Sequence, residues 1–445
     1  MGVEEEEEVR VVESSLVAAS DETPPKSLWL SQLDLKATRR HTPLLWFYRS
    51  GDGVQATDGF FNVTRLKAAL AKALVTFYPL AGRIGDDGDG RAEVNCGNQG
   101  VLFVVARSED LTVADFHGRP SSKLRRLFVP RMEPPSIVCG VQLTFFKCGG
   151  VAIGLAVHHF VVDGSSTSHF TRTWAAISRT GDMSAVEAEP PCHDRFLLRP
   201  RSPPAVHPDA LSVFCPMVNL CESSGVPLRS EAFLVSKDQL EALKQACGGR
   251  AVSTFCALTA HIWKCVSATR PMPPDATTRL TFPVSIRRKL APPLPTGYFG
   301  NAVIRVGVTS EVRGIVSEEL SSVASRIKGT IGRVDDELVW SAIDYFELAE
   351  RDSRPAQGSL PTTELRVVSW LGMPIYDTDF GWGKPVMMMR AESERGGRVY
   401  MMDGDGDGDG DGGSVRIIVC LEATIIKDFH DMLYAKFSDL IRSSL

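Results

Sequence analysis

Residues 189–208, EPPCHDRFLLRPRSPPAVHP, limit the folding of this chain more than any other stretch. Prolines and arginines recur there with neither the helical period nor the alternation of a strand, so the segment reads as an extended crossover. On both sides the sequence is patterned for helices and strands together. At 445 residues the chain also exceeds the size at which one hydrophobic core usually stops growing. The expectation is an α/β protein in two parts, residues 1–188 and 212–445, joined by a crossover at 189–211.

In the first part, VTRLKAALAKAL (63–74) has helical spacing. Strand-like runs stand at VRVVESSLV, PLLWFYR (43–49), GVLFVVA (100–106), SIVCGVQLTFFKC (136–148) and VAIGLAVHHFVV (151–162), with Gly149 and Gly150 turning between the last two. A serine-capped helix follows Gly164, with Phe170 and Trp174 one turn apart. The second part is expected to hold strands near 212–219, 278–284, 365–370, 398–402 and 415–423, and helices at 238–246, 253–267 and 316–331. Phe429, Leu433, Phe437 and Leu440 make the closing helix amphipathic.

A net charge of −5 supplies no basic field for nucleic acid or an anionic membrane. Ten cysteines are scattered without CxxC or zinc-site spacing, so they read as reduced, mostly buried residues of an intracellular protein, and no metal is expected. The acidic run Glu4–Glu8 reads as a solvated tail, stands where a targeting peptide would be basic, and no apolar run approaches the ~20 residues of a membrane span, so a cytoplasmic location is expected. The Asp-Gly repeat at 403–413 lacks the terminal glutamate and varied ligands of an EF-hand and reads as a hairpin loop.

The stretch AVHHFVVDGSS, 156–166, carries the candidate chemistry. Strand alternation sends His158 and His159 to opposite faces, so one of them can meet a cleft. A histidine at a strand end can take a proton from an alcohol or amine near neutral pH, and Asp163 and Gly164 shape the turn that follows. A buried histidine pair with Asp163 capping the next helix accounts for these residues equally simply.

Four dispersed motifs change that balance: YPLAGR (78–83), HHFVVDG (158–164), GYFGN (297–301) and DFGWG (379–383). In this order and spacing the chain resembles the plant BAHD acyltransferase family, and LSQLDLKATRRHTPLLWFYR near the start extends the resemblance over nearly the whole chain. It implies two chloramphenicol-acetyltransferase-like domains with mixed sheets and a channel between them. Acyl-CoA would enter from one face as cosubstrate and a small acceptor from the other, with no bound cofactor and a monomeric state. His159 would be the general base, and no covalent intermediate would form. Asp163 would be a structural clamp paired to Arg287, which stands here in Val284-Ser285-Ile286-Arg287 where many relatives have V-D-G-R. Asp379, Gly381 and Gly383 would be structural. The Trp382 indole N–H would either donate to the developing oxyanion or simply pack between domains. Ser253 and Thr254, opening a helix, would either meet CoA or serve as a plain cap.

Within the family, the hydroxycinnamoyl-CoA branch is the nearest in appearance. Its shikimate- and quinate-using members hold the acceptor with polar residues and an arginine at positions that are Leu44, Trp46 and Pro361 here. His41 and Thr42, with Leu44 and Trp46, would line the acceptor side. Loss of polar partners then favours an aromatic amine or polyamine over a polyhydroxy acid. An alcohol acceptor is the alternative, with Arg366 replacing the lost arginine if its loop shifts, and a non-catalytic acyl-CoA binder of the same fold is a further one.

Overall fold

The computed structural model describes residues 8–50, 59–116, 118–182, 189–216, 225–349, 360–392, 395–404 and 413–444. Residues 4–7 of the acidic run, 217–219 of the expected strand and 405–412 of the Asp-Gly repeat lie outside these.

The runs with strand patterning assemble into two six-stranded mixed sheets. In the first, the order is Arg10–Val17, Val101–Arg107, Cys139–Phe145, Val151–His158, His41–Tyr48 and Met387–Arg390. Only the second and third of these strands run parallel. In the second sheet the order is Val303–Glu311, Thr277–Ser285, Glu364–Ser369, Arg398–Asp403, Val415–Glu422 and Leu228–Val235. Glu364–Ser369 is parallel to both its neighbours. A small three-stranded sheet, Ser27–Trp29, Ala92–Asn95 and Arg83–Asp86, completes the first half.

Helices cover the sheets with the stripes their periodicity dictates. Val63–Thr76 buries Leu66, Ala69, Leu70, Ala73 and Leu74 and packs on Gly164–Thr180, whose Trp174 donates its indole N–H to the Leu66 carbonyl at 3.0 Å. On the second sheet, Thr254–Thr269 lies with Leu320–Gly332 and Ile426–Ser444 around a core containing Trp263, Phe282 and Phe429. Among the described residues no helix is long and apolar enough to cross a membrane.

One expectation is corrected. The strand near 212–219 is absent from its described residues: Phe214 makes only an isolated bridge to Val306, and Pro216 has no N–H with which to extend a ladder. Met387–Arg390 crosses from the second half and pairs antiparallel with His41–Tyr48 at the edge of the first sheet. That crossing closes one wall of the cavity between the sheets.

Candidate active site

The Val151–His158 strand is buried at every position and lies between Cys139–Phe145 and His41–Tyr48. Gly154 lets the Phe128 carbonyl approach so closely that a Cβ there would stand 1.8 Å from its oxygen. A strand held this firmly delivers two histidines to one end of the sheet, and the two meet different surroundings.

His158 is 7% exposed, its ring lies edge-on to His41 with centroids 5.0 Å apart, and its Nδ1 accepts from the Phe160 N–H at 3.3 Å. Burial, reinforced by His41, pushes its pKa down to about 3, so it stays neutral and structural. His159 lines the cavity between the sheets. Its backbone is tied at both ends: the N–H donates to the Arg40 carbonyl at 3.1 Å, and the carbonyl accepts from the Asn301 side chain at 2.8 Å. The Nδ1 edge is buried with no hydrogen-bond partner among the described residues. Burial holds the imidazole below its usual pKa, so it is neutral and able to accept a proton at pH 7.

Asp163 does not serve the His159 ring. Its carboxylate receives a two-pronged pair from Arg287, Nη1 to Oδ2 at 2.7 Å and Nη2 to Oδ1 at 3.0 Å, together with the Ser166 N–H at 2.9 Å and the Ala302 N–H at 3.1 Å. Burial would raise its pKa, but the Arg287 charge and these hydrogen bonds outweigh burial and hold it below the ordinary carboxylate range. Arg287 also reaches the Gly300 carbonyl at 3.1 Å, so one ion pair ties the turn after His159, the start of the Gly164–Thr180 helix and the 298–302 segment together.

A second buried clamp carried no assigned role in the sequence. Asp34, fully buried, pairs with the 1%-exposed Arg195 of the crossover at 2.6 Å and accepts from both the backbone and the side chain of Asn301 at 2.9 Å. Asn301 therefore links Asp34 to the His159 carbonyl. Its signal was available, since it closes the GYFGN motif, but the partner lies 267 residues away along the chain.

In the DFGWG turn, Asp379 accepts from the Gly381 N–H at 2.8 Å and the Gly383 N–H at 2.9 Å. Both glycines have positive φ, +102° and +98°, which a residue with a Cβ rarely adopts. The turn aims Trp382 away from the chemistry: its ring stacks on Phe61 at 5.0 Å, Arg65 lies 4.6 Å from its centroid, and it is not part of the cavity wall. Of the two readings of Trp382, these contacts favour packing. Trp382→Phe should leave kcat within about twofold, because a lost oxyanion donor would instead cost on the order of 10²–10³. Steady-state kinetics of that variant decides between the two. Ser253 caps the Thr254–Thr269 helix by accepting from the Cys256 N–H at 3.2 Å, and neither Ser253 nor Thr254 reaches the cavity.

The cavity has a volume of about 500 Å³, within the range of small-molecule sites. His41, Thr42, Leu44 and Trp46 all line it. His41 Nε2 is held by the Ile137 carbonyl at 2.6 Å, and the Trp46 N–H donates to the Ile375 carbonyl at 3.0 Å, so the Trp46 ring offers the cavity a surface rather than a hydrogen bond. The apolar acceptor wall expected from these residues is only half of the lining. Among the described residues, seven arginines and Lys36 also face the cavity, against the two carboxylates Asp163 and Glu392. Arg366 is among them, on the Glu364–Ser369 strand rather than on a loop, and reaches the cavity without any shift.

Comparison with known proteins accords with this geometry. The sequence profile described as the Transferase family matches residues 7–436. Putrescine hydroxycinnamoyltransferase 1 of Oryza sativa subsp. japonica is 40% identical, over 96% of this chain and 98% of its own length. Hydroxycinnamoyl-CoA:5-hydroxyanthranilate N-hydroxycinnamoyltransferase HHT4 of Avena sativa is 34% identical, over 96% and 99%. The crystal structure of vinorine synthase superposes with a TM-score of 0.74 at 23% identity, covering 97% of this chain and 98% of that one, and so shares the fold. With two mixed sheets enclosing the histidine cavity and relatives matched over nearly their full length, the chain belongs to the BAHD family of acyl-CoA-dependent acyltransferases.

Proposed function

We propose that this enzyme moves a hydroxycinnamoyl or similar aromatic acyl group from CoA to the nitrogen of a small amine, with His159 as the general base. The observation that carries the reading is the state of His159: neutral, tied through its backbone at both ends, and opening onto the cavity with its Nδ1 edge buried. Two relatives named for acylation of putrescine and of 5-hydroxyanthranilate support nitrogen as the acceptor atom.

In the reaction, His159 Nε2 takes a proton from the amine as its nitrogen attacks the thioester carbonyl, giving a tetrahedral oxyanion. Collapse of that intermediate breaks the C–S bond. The CoA thiolate leaves and recovers the proton from the imidazolium, so no acyl group is transferred to the protein. Asp163 and Arg287 hold the turn that aims the ring, and Asn301 holds its backbone.

An acceptor screen with p-coumaroyl-CoA and benzoyl-CoA against amines, shikimate and quinate, read by mass spectrometry, tests the reading. Amides should form, and esters as the sole products would overturn the choice of nitrogen. The pH profile supplies a second check. Only the unprotonated imidazole is active, and burial lowers its pKa, so with an arylamine acceptor, which is itself unprotonated at neutral pH, kcat/KM should hold steady through neutrality and fall on acidification only below the ordinary histidine value of about 6.5. An acid limb centred above that value would contradict His159 as the base.

A further inference from the structure

Three strands of the second sheet each send an arginine into the cavity: Arg305, Arg366 and Arg398. Arg366 and Arg398 are direct partners on neighbouring parallel strands. On its other side Arg366 pairs with Thr281, two residues from Pro283, the partner of Arg305. Neighbouring strands lie only ~4.8 Å apart, so Arg366 and Arg398 are close, and Arg305 reaches the same cavity from one strand further along the sheet; like charges this close destabilise a sheet.

Among the described residues, no carboxylate forms an ion pair with these three arginines. The Arg366 guanidinium makes no hydrogen bond among the described residues, Arg398 reaches only the Tyr400 hydroxyl at 3.5 Å and keeps a buried Nε without a partner, and Arg305 reaches only the Cys215 carbonyl at 3.4 Å. Neighbouring carboxylates are engaged elsewhere: Glu364 by Arg279, Glu392 by Arg125 at 2.7 Å, and Asp163 by Arg287. Burial, then the charges of Arg305 and Arg398, pull the basicity of Arg366 well down, which is the electrostatic signature of crowded positive charge. Arginine nevertheless keeps its proton at physiological pH. A group of half-buried, under-bonded guanidiniums is stabilised by an anion with two oxygens, which can bridge their forked donors.

We propose that the acceptor carries a carboxylate, bound by Arg366 with Arg398 and Arg305, while Leu44 and Trp46 hold its apolar part. The inference rests on the transferase reading above and narrows its amine to an amino acid of the aminobenzoate type, excluding polyamines, whose spare ammonium groups would face the same positive patch. The phosphates of CoA are the other source of anionic oxygens. The long pantetheine arm carries them away from the thioester, whereas these arginines share the His159 cavity of about 500 Å³.

The test uses the full-length protein with p-coumaroyl-CoA and compares anthranilate with aniline, the same ring without the carboxylate, alongside putrescine and shikimate. Anthranilate should be acylated with a kcat/KM at least tenfold above aniline, and putrescine should not react. Arg366→Gln should raise the acceptor KM on the order of 10- to 100-fold, the worth of a charged hydrogen bond, and leave the KM for p-coumaroyl-CoA unchanged. Arg366→Lys should recover part of the loss. The melting temperature of Arg366→Gln should be equal or higher, since a repelled charge is removed; a merely structural arginine would lower it. Shikimate acylated in place of anthranilate keeps the carboxylate and changes only the acceptor atom. Acylation of putrescine or aniline as readily as anthranilate, or a rise in the CoA-ester KM instead of the acceptor KM, would overturn the inference while the transferase reading stands. No acylation of any acceptor would sink the transferase reading, and the inference with it.

Discussion

Replacing His159 by alanine is expected to lower kcat about 10³-fold while the KM for the acyl-CoA stays within a few-fold. Loss of a general base costs 10²–10⁴ in rate, and the ring makes no hydrogen bond through Nδ1 that binding or folding would miss. The backbone links from His159 to Arg40 and Asn301 do not depend on the imidazole, so the variant should keep the circular dichroism and melting behaviour of the wild type. CoA release and amide formation, measured together, make the comparison. Full activity in this variant would refute the mechanism. Binding of CoA esters without turnover by the wild type would point instead to a non-catalytic member of the fold.

Asp163→Ala should be the most destabilising single change around the site, by about 4 kcal/mol. It leaves Arg287, 15% exposed, without its partner, which for a broken buried pair costs about 3–5 kcal/mol, and it removes the cap of the Gly164–Thr180 helix. Urea midpoints of wild type and variant give the difference. The stabilisation also has a defined pH sense. Because the folded-state pKa lies below the unfolded one, the contribution is present above the unfolded value of about 3.9 and disappears as pH falls through the lowered folded value. The wild type should therefore lose more stability than Asp163→Ala on going from pH 5 to pH 2. A difference under about 1 kcal/mol at pH 7 would show that the clamp is not structural. Activity should fall as well, since the turn that aims His159 relaxes.

Legibility in the sequence followed the range of the forces involved. The apolar Val151–His158 strand and the turn beyond it are local patterns and stand where they were expected. Met387–Arg390 was not read as a strand, because four residues in a methionine run have no alternation and become one only on the open edge of His41–Tyr48. The helix Asp336–Leu348 was also missed, although Asp335 accepts from the Leu338 N–H as its cap and Leu338, Val339, Ala342 and Ile343 make a helical stripe. Trp382 illustrates a different dependence on distant segments. The indole chemistry was sound, but its direction is set by two glycines and by Phe61 on a distant segment.

The acceptor question separates the two levels most clearly. Aligning single positions put Pro361 where related enzymes have an arginine and favoured a wholly apolar acceptor wall. In three dimensions, Arg366 and Arg398, tens of residues apart in the chain, are partners on neighbouring strands, and Arg305 stands on the same sheet with one strand between it and Arg366. By itself, the sequence determined the reaction class and the α/β character, because these rest on local periodicity and on short motifs, and the resemblance to the family pointed to His159 rather than His158. Only the tertiary structure decided that Asn301 ties Asp34 to His159 and that arginines outnumber carboxylates among the described residues lining the cavity. Charge and hydrogen bonding act through space over a few ångströms, and strand order, which brings distant segments within that distance, is not written in any one of them.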